Sequence, residues 1–214
     1  IDLFIRALGR LNKNVNLKKD VVAFIAIPTA HRGPANAFRG KEKVSEFTTH
    51  KLQNMEHDSI VNELKAQGIT NSATDKVSVV FVPAYLNEID GVVNLAYYDF
   101  LIGFDLSVFP SYYEPWGYTP LESASYAVPT VTTDQAGFGV WVQHNVGEST
   151  GVILLNRKGR QTPEIEENLY HILAQFMSQN DKKLREQRKD ARHVAEQASW
   201  KQFFNFYVEA YVKA

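Results

Sequence analysis

Apolar runs that stop at a proline, separated by stretches of helical or polar pattern, constrain this chain most. Val21 to Ile27 is closed by Pro28, Val77 to Val82 is stopped by Pro83, and Leu106 to Phe109 runs into Pro110. Val128-Pro129 leads into Thr130 to Thr133, and Gly151 to Leu155 is a last short run. The unbroken apolar character of Val21–Ile27 and Val77–Val82 is the pattern of strands buried on both faces. Helical pattern covers residues 2–12, about Lys41 to Gln67, about Leu95 to Gly103, the stretch after Thr119, and everything from Pro163 onward. The last region breaks at Asn180-Asp181 and restarts near Ser199. Strands alternating with helices predict parallel pairing, hence an α/β chain with a doubly wound, Rossmann-like parallel sheet and a helical C-terminal extension from about residue 163. No repeat, low-complexity tract or linker interrupts residues 1–214, which read as one domain.

The balance of charges narrows the partners. A net charge of -1 gives no electrostatic reason to bind nucleic acid or an anionic membrane. The absence of cysteine excludes disulfides, thiolate nucleophiles and cysteine metal sites. The longest apolar run is far too short to span a bilayer, and no basic region leads into an apolar stretch as in a signal peptide. A cytoplasmic setting is compatible with all of this. Ile1 begins without a Met and directly inside an amphipathic pattern (Leu3, Phe4, Ala7, Leu8, Leu11), so a piece of a longer protein is expected.

Ser111-Tyr112-Tyr113-Glu114-Pro115-Trp116-Gly117-Tyr118-Thr119-Pro120-Leu121-Glu122 lies where a strand end should feed a helix start. That junction is where open α/β sheets bind phosphorylated ligands. Thr119-Pro120-Leu121-Glu122 reads as a capping box with proline at the first helical position, and Glu122 as a cap of its own helix. The sharper alternative is a helix start facing a ligand, with the amides of Tyr118, Thr119, Leu121 and Glu122 as donors to a diphosphate. Gly117 would let a backbone approach the phosphates closely. Glu114 is either a solvated loop carboxylate or a polar group on an aromatic platform of the kind that holds sugars and bases. Both readings stand open at this point.

The run Phe109 to Pro120, followed by Thr132-Thr133 and Gly137-Phe138-Gly139, closely resembles glycogen synthases of the eukaryotic type, which some bacteria also carry. Leu3 to Asn12 and Val21 to Ala26 look like the start of that family's C-terminal lobe, and a bacterial member is expected. The resemblance implies a retaining glucosyltransferase of the two-lobed GT-B architecture. This chain would be its C-terminal, nucleotide-binding lobe, with the N-terminal lobe and the family's arginine and lysine motif lying before Ile1. It implies transfer of glucose from a nucleotide sugar, UDP-glucose, to the non-reducing end of an α-1,4-glucan, with no cofactor and no metal.

Residue by residue, the resemblance gives Glu114 the place beside the donor glucose and Glu122 the ribose hydroxyls. It gives Tyr97 the stack on uracil, and has Trp116, Gly117, Tyr118 and Thr119 line glucose and diphosphate. The implied partners are the nucleotide sugar and the α-glucan, with homo-oligomer contacts in the full-length protein. Without the cationic pair the chain alone should be inactive. Other readings are a different GT-B transferase, a hydrolase using Glu114 and Glu122, and a non-catalytic nucleotide- or carbohydrate-binding module.

Several further features read as structural. None of the six histidines has metal-ligand spacing with carboxylates. His31 reads as a loop residue, and Lys182 to Lys189 as a solvated helix face. Arg185, Arg188, Lys189 and Arg192 lack the dense arginine cluster with which eukaryotic relatives sense glucose 6-phosphate. Trp200, Phe203, Phe204 and Tyr207 space as the core face of a helix.

Overall fold

The computed structural model describes residues 1–35 and 47–213. In chain order it runs through helix α1 (Asp2–Asn12) and strands β1 (Val21–Ala26), β2 (His31–Pro34) and β3 (His50–Leu52). Helix α2 (Ser59–Ala66), strand β4 (Val77–Val82), helix α3 (Tyr97–Leu101), strand β5 (Ser107–Val108) and helix α4 (Tyr118–Ser125) follow. Strand β6 (Thr130–Thr133), helix α5 (Gly137–Asn145), strand β7 (Val152–Leu155), and helices α6 (Thr162–Met177), α7 (Asp181–Gln197) and α8 (Trp200–Lys213) complete it. The chain is an α/β protein with parallel strands alternating with helices and a helical C-terminal extension. Its contacts fall into two compact units, Ile1–Phe100 with Thr162–Ser178 and Leu101–Gln161 with Gln179–Ala214.

In the first unit β1 runs parallel to β4, from Val21 opposite Val77 to Ala26 opposite Val82. Helix α1 buries Leu3, Ala7, Leu8 and Leu11 of the expected stripe, with Ile5 buried where Phe4 was expected, and packs on α6, whose inner face is Ile165, Leu169, Leu173 and Phe176. Arg6 fixes the helices' mutual orientation: Nε donates to Glu63 at 3.0 Å on α2, and Nη1 to Glu166 at 2.8 Å on α6. Asn12 ends α1 by joining it to β4, its side-chain oxygen accepting from the amides of Lys76 and Val77 at 2.8 and 2.9 Å.

Three expectations are corrected in this unit. β4 is buried on both faces, but β1 is not: Val22 is 59% exposed and Phe24 37%, while Ala23 and Ile25 are buried. The reason is position. β4 has neighbours on both edges, because Phe47 and Thr49 bond to Phe81 opposite β1; among the described residues β1 pairs with β4 alone. The helix expected from Lys41 to Gln67 is also shorter. Residues 41–46 lie outside the described residues, Phe47 to Thr49 run along β4, and β3 pairs antiparallel with β2. Phe47, Thr48 and Thr49 favour extended backbone, and α2 starts only where the Asp58 carboxylate accepts from the amide of Val61 at 2.9 Å. Finally, His31 opens β2 rather than a loop, and its ring meets that of His50 edge-on at 4.7 Å.

The second unit is a parallel sheet in the order β5-β6-β7. Its core is Ala124, Phe138, Val142, Val152, Ala191, Val194, Ala195 and Ala198, joining α4, α5, β7 and α7. Asn180 caps α7 where the sequence breaks, accepting from the amide of Lys183 at 3.0 Å. Helix α8 departs from expectation. Phe203 packs against the core, but Trp200, Phe204 and Tyr207 are 65%, 61% and 52% exposed. Its apolar residues spread around most of the helix, so the one face that meets the core cannot bury them all.

Candidate functional site

The second unit carries the distinctive loop between β5 and α4. β5 is short because Pro110 follows it, and the chain then crosses the carboxyl end of β6. There the Glu114 backbone is held on both sides: its amide donates to Gln135 O at 3.1 Å, and its carbonyl accepts from the Gly137 amide at 3.0 Å. The next tie is the amide of Phe138 donating to the Trp116 carbonyl. The loop is therefore fastened to the start of α5.

That fastening explains why Gly137-Phe138-Gly139 opens helix α5 although two glycines weaken a helix. A Cβ on Gly137 would stand 2.1 Å from Pro115 O and 3.0 Å from Trp116 Cα. One on Gly139 would stand 2.2 Å from Thr133 O. Only glycine permits this approach of helix start to loop and strand. Phe138 points the other way, into the core, in an aromatic group with Trp116, Trp141 and Phe203. Ring centroids are 5.9 Å apart for Trp116–Phe138 and 5.3 Å for Trp116–Phe203, both edge-to-face.

Helix α4 begins two residues earlier than its sequence suggests. Gly117, with φ of 103°, is the residue preceding the helix, so Thr119 is the second helical residue and Pro120 the third. The expected capping box does not form: Thr119 is inside the helix, and among the described residues no side chain caps the helix start. Glycine wins the cap position because the loop enters the helix through left-handed backbone, which threonine tolerates poorly. Tyr118 and Thr119 then carry first-turn amides for which a helix supplies no acceptor, and both side chains are exposed. Glu122 lies in the second turn, partly buried.

The Glu114 side chain turns back over this helix start. Its Oε2 is 3.4 Å from where a Gly117 Cβ would be, and the Ser111 hydroxyl donates to the same oxygen at 3.3 Å. The structure thus brings Glu114, Gly117, Tyr118 and Thr119 together at one helix N-terminus. Trp116 is adjacent in sequence, but its indole belongs to the aromatic core, which leaves its backbone at the junction. Tyr112 and Tyr113 are 69% and 75% exposed on the outer side of the loop. Tyr97 opens α3 in the first unit, half-buried, with its ring 5.1 Å from that of Tyr98.

Sequence reasoning missed Arg157 and Asp134. The Arg157 guanidinium lies 3.8 Å over the Tyr112 ring and its Nη1 donates to Pro110 O at 2.6 Å. Asp134, at the end of β6, accepts from the Arg157 and Lys158 amides. Nothing local marks Arg157, which is more than forty positions from the loop it touches.

These features define an α/β protein whose elaborated loop and open helix start lie at the carboxyl end of a parallel sheet. Residues 35–214 match the glycogen synthase family, and the chain belongs to that family. It is 31% identical over 176 residues to glycogen [starch] synthase isoform 2 of Saccharomyces cerevisiae, a match covering 80% of this chain and 25% of the relative. Human liver glycogen [starch] synthase is 31% identical over 172 residues, covering 79% and 24%. The chain thus spans about a quarter of the length of the curated relatives it matches. Among solved structures, WaaG, a glycosyltransferase involved in lipopolysaccharide biosynthesis, aligns over 90% of this chain and 46% of its own. Its TM-score is 0.46 and its identity 13%, a likeness too loose to bear on function.

Proposed function

We propose that this chain is the donor-nucleotide side of a retaining glucosyltransferase that moves glucose from UDP-glucose to the non-reducing end of an α-1,4-glucan. The observation that carries the reading is the Glu114 carboxylate folded over the N-terminus of α4, in a member of the glycogen synthase family. A donor diphosphate at that helix start would accept from the Tyr118 and Thr119 amides, with Gly117 adding no side chain to obstruct it. Glu114 would stand on the sugar side, where a carboxylate opposes the positive charge that develops at the anomeric carbon as the glycosidic bond breaks. Glu122 would take the ribose hydroxyls, Tyr97 would stack on uracil, and the Trp116 backbone would help line the diphosphate.

Residues of the same type could serve a glycoside hydrolase, with the two carboxylates as acid and nucleophile. Membership of the glycogen synthase family favours transfer from a nucleotide sugar instead. With a nucleotide sugar as donor, the cytoplasm is the proposed location.

Calorimetric titration with UDP and with maltooligosaccharides tests the reading. UDP binding is expected, and Tyr97→Ala or Glu122→Ala should weaken it by roughly tenfold, the loss of about one good contact. Glucan binding with no nucleotide effect would sink the proposal in favour of a carbohydrate-binding module. Transfer assays on the protein in its whole natural length, with UDP-glucose and ADP-glucose in parallel, decide the donor. There Glu114→Gln should lower kcat at least about 100-fold, in line with removing a group aimed at transition-state charge.

A further inference from the structure

Arg157 is 7% exposed, an unusual state for an arginine, and buried cations persist only where their donors and faces are occupied. Its surroundings supply both. Nη1 donates to the Pro110 carbonyl at 2.6 Å, and the guanidinium carbon lies 3.8 Å from the Tyr112 ring centroid. The residue is itself fixed from below. Its amide donates to Asp134 Oδ1 at 2.8 Å, and the Asp134 amide in turn faces Leu155 O at the end of β7. Arg157 therefore reaches from a rigid strand end to the first residues of the loop.

What it grips lies immediately before Glu114. Between Pro110 and Tyr112 sits Ser111, whose carbonyl accepts from the Thr133 hydroxyl at 3.1 Å and whose own hydroxyl donates to Glu114 Oε2 at 3.3 Å. The backbone of Glu114 is tied to Gln135 and Gly137, so its main chain is set by α5. The placement of its carboxylate depends on Ser111, and Ser111 depends on the segment that Arg157 clamps on both sides.

We propose that Arg157 is a positioning residue for Glu114, holding the Pro110–Tyr112 segment so that Ser111 directs the Glu114 carboxylate over the start of α4. The catalytic part of this inference rests on the function proposed above; the hold on the loop does not. Lysine cannot replace it, because a single ammonium cannot both reach a carbonyl and lay a flat face on an aromatic ring.

Two measurements on the full chain test this together. The first is hydrogen–deuterium exchange, read over residues 110–117, in the protein and in Arg157→Lys and Arg157→Ala. Both variants should exchange there at least about tenfold faster, while protection in α5 and α7 is unchanged and the thermal midpoint moves by only a few degrees. The second is steady-state kinetics on the natural-length protein. Arg157→Lys should lower kcat roughly 10- to 100-fold with KM for UDP-glucose within about twofold, the mark of a misplaced group rather than lost binding. Tyr112→Phe, which keeps the ring face, should retain near-normal kcat.

Unchanged exchange over 110–117 in Arg157→Lys overturns the proposal, as does loss of protection throughout the second unit with a large drop in thermal midpoint. A raised KM at unchanged kcat overturns it as well. Should the unsubstituted protein transfer no glucose from any nucleotide sugar, the proposed function fails, and the exchange result still decides whether Arg157 holds the loop.

Discussion

Each unit has a parallel strand that ends at a proline and a loop that carries a carboxylate, yet the two carboxylates meet opposite fates. After β4, Asp90 is spent on its own backbone: Oδ1 accepts from the amides of Val92 and Val93, and Oδ2 from Asn94 at 2.8 Å. Its side chain is 1% exposed, and its carbonyl accepts from His50 Nε2 at 2.9 Å. Burial pushes the Asp90 carboxyl up, but those three amides outweigh it and hold the group below the usual carboxylate range. After β5, Glu114 receives among the described residues one hydroxyl, from Ser111, and lies over an open helix start. A carboxylate surrounded by amides finishes a loop. One left with spare acceptor capacity beside unfilled donors is where a ligand can compete.

The comparison breaks most readily at Gly137. Gly137→Ala would drive a methyl group to 2.1 Å from Pro115 O, so the loop or the helix must move. The expected cost is about 3 kcal/mol or more, seen as a lower denaturant midpoint with faster exchange over 110–117. A loss under ~1 kcal/mol would mean that the loop is not fastened to α5 as described. Next comes the aromatic group beneath the loop. Phe203→Ala should cost about 2 kcal/mol, while Phe204→Ala, one position on and 61% exposed, should change stability by no more than about 0.5 kcal/mol. Equal losses from the two would show that α8 packs through another face.

The two carboxylates can be compared directly. Asp90→Asn replaces an acceptor by a donor facing an amide, and should destabilise by roughly 1–2 kcal/mol. Glu114→Gln should leave stability within about 0.5 kcal/mol while it abolishes most transfer. If thermal melts rank them the other way, Glu114 is structural.

The smallest effect is acid sensitivity at Asp75. Burial alone would raise its carboxyl, but hydrogen bonds from Asn12, Thr70 and Ser72 bring it from 3.8 down to about 2. A group lowered on folding stabilises the native state above its unfolded value, and that contribution fades as pH falls from about 4 towards 2. Melting curves of Asp75→Asn and the unsubstituted protein should therefore converge as the pH is lowered through that window. A constant gap across it would refute the assignment.

Much of this was legible in sequence, and the misses have a common cause. The strand–helix alternation and the breaks at Asn180 and Ser199 are local signals, carried by proline and by amphipathic spacing, and the unusual aromatic run from Phe109 drew the candidate site to the loop before α4. The two-faced burial of β1, the helix before Ser59 and the core face of α8 failed because each depends on which neighbours occupy the edges and faces. The capping box failed for the same reason. Thr119-Pro120-Leu121-Glu122 fits the local rule, but the loop's attachment to α5 brings the backbone in through Gly117 and starts the helix early. Two glycines at Gly137 and Gly139 weaken a helix, and only the nearness of the Pro115 and Thr133 carbonyls explains why they stand in one.

The sequence by itself determined the α/β class and the parallel pairing, because periodicity and turn residues act within a few positions. The tertiary structure decided which polar groups there remain unspent. Asp90 and Glu114 are both loop carboxylates, and Arg157 stands in sequence beside Lys158 and near Arg160 with nothing local to distinguish it. Asp90 is filled by amides two to four residues on, where its loop turns back on itself, whereas the loop of Glu114 is drawn out along Gln135 and Gly137 and brings it one hydroxyl among the described residues. Arg157 differs through Pro110 and Tyr112, which only the tertiary fold places beside it.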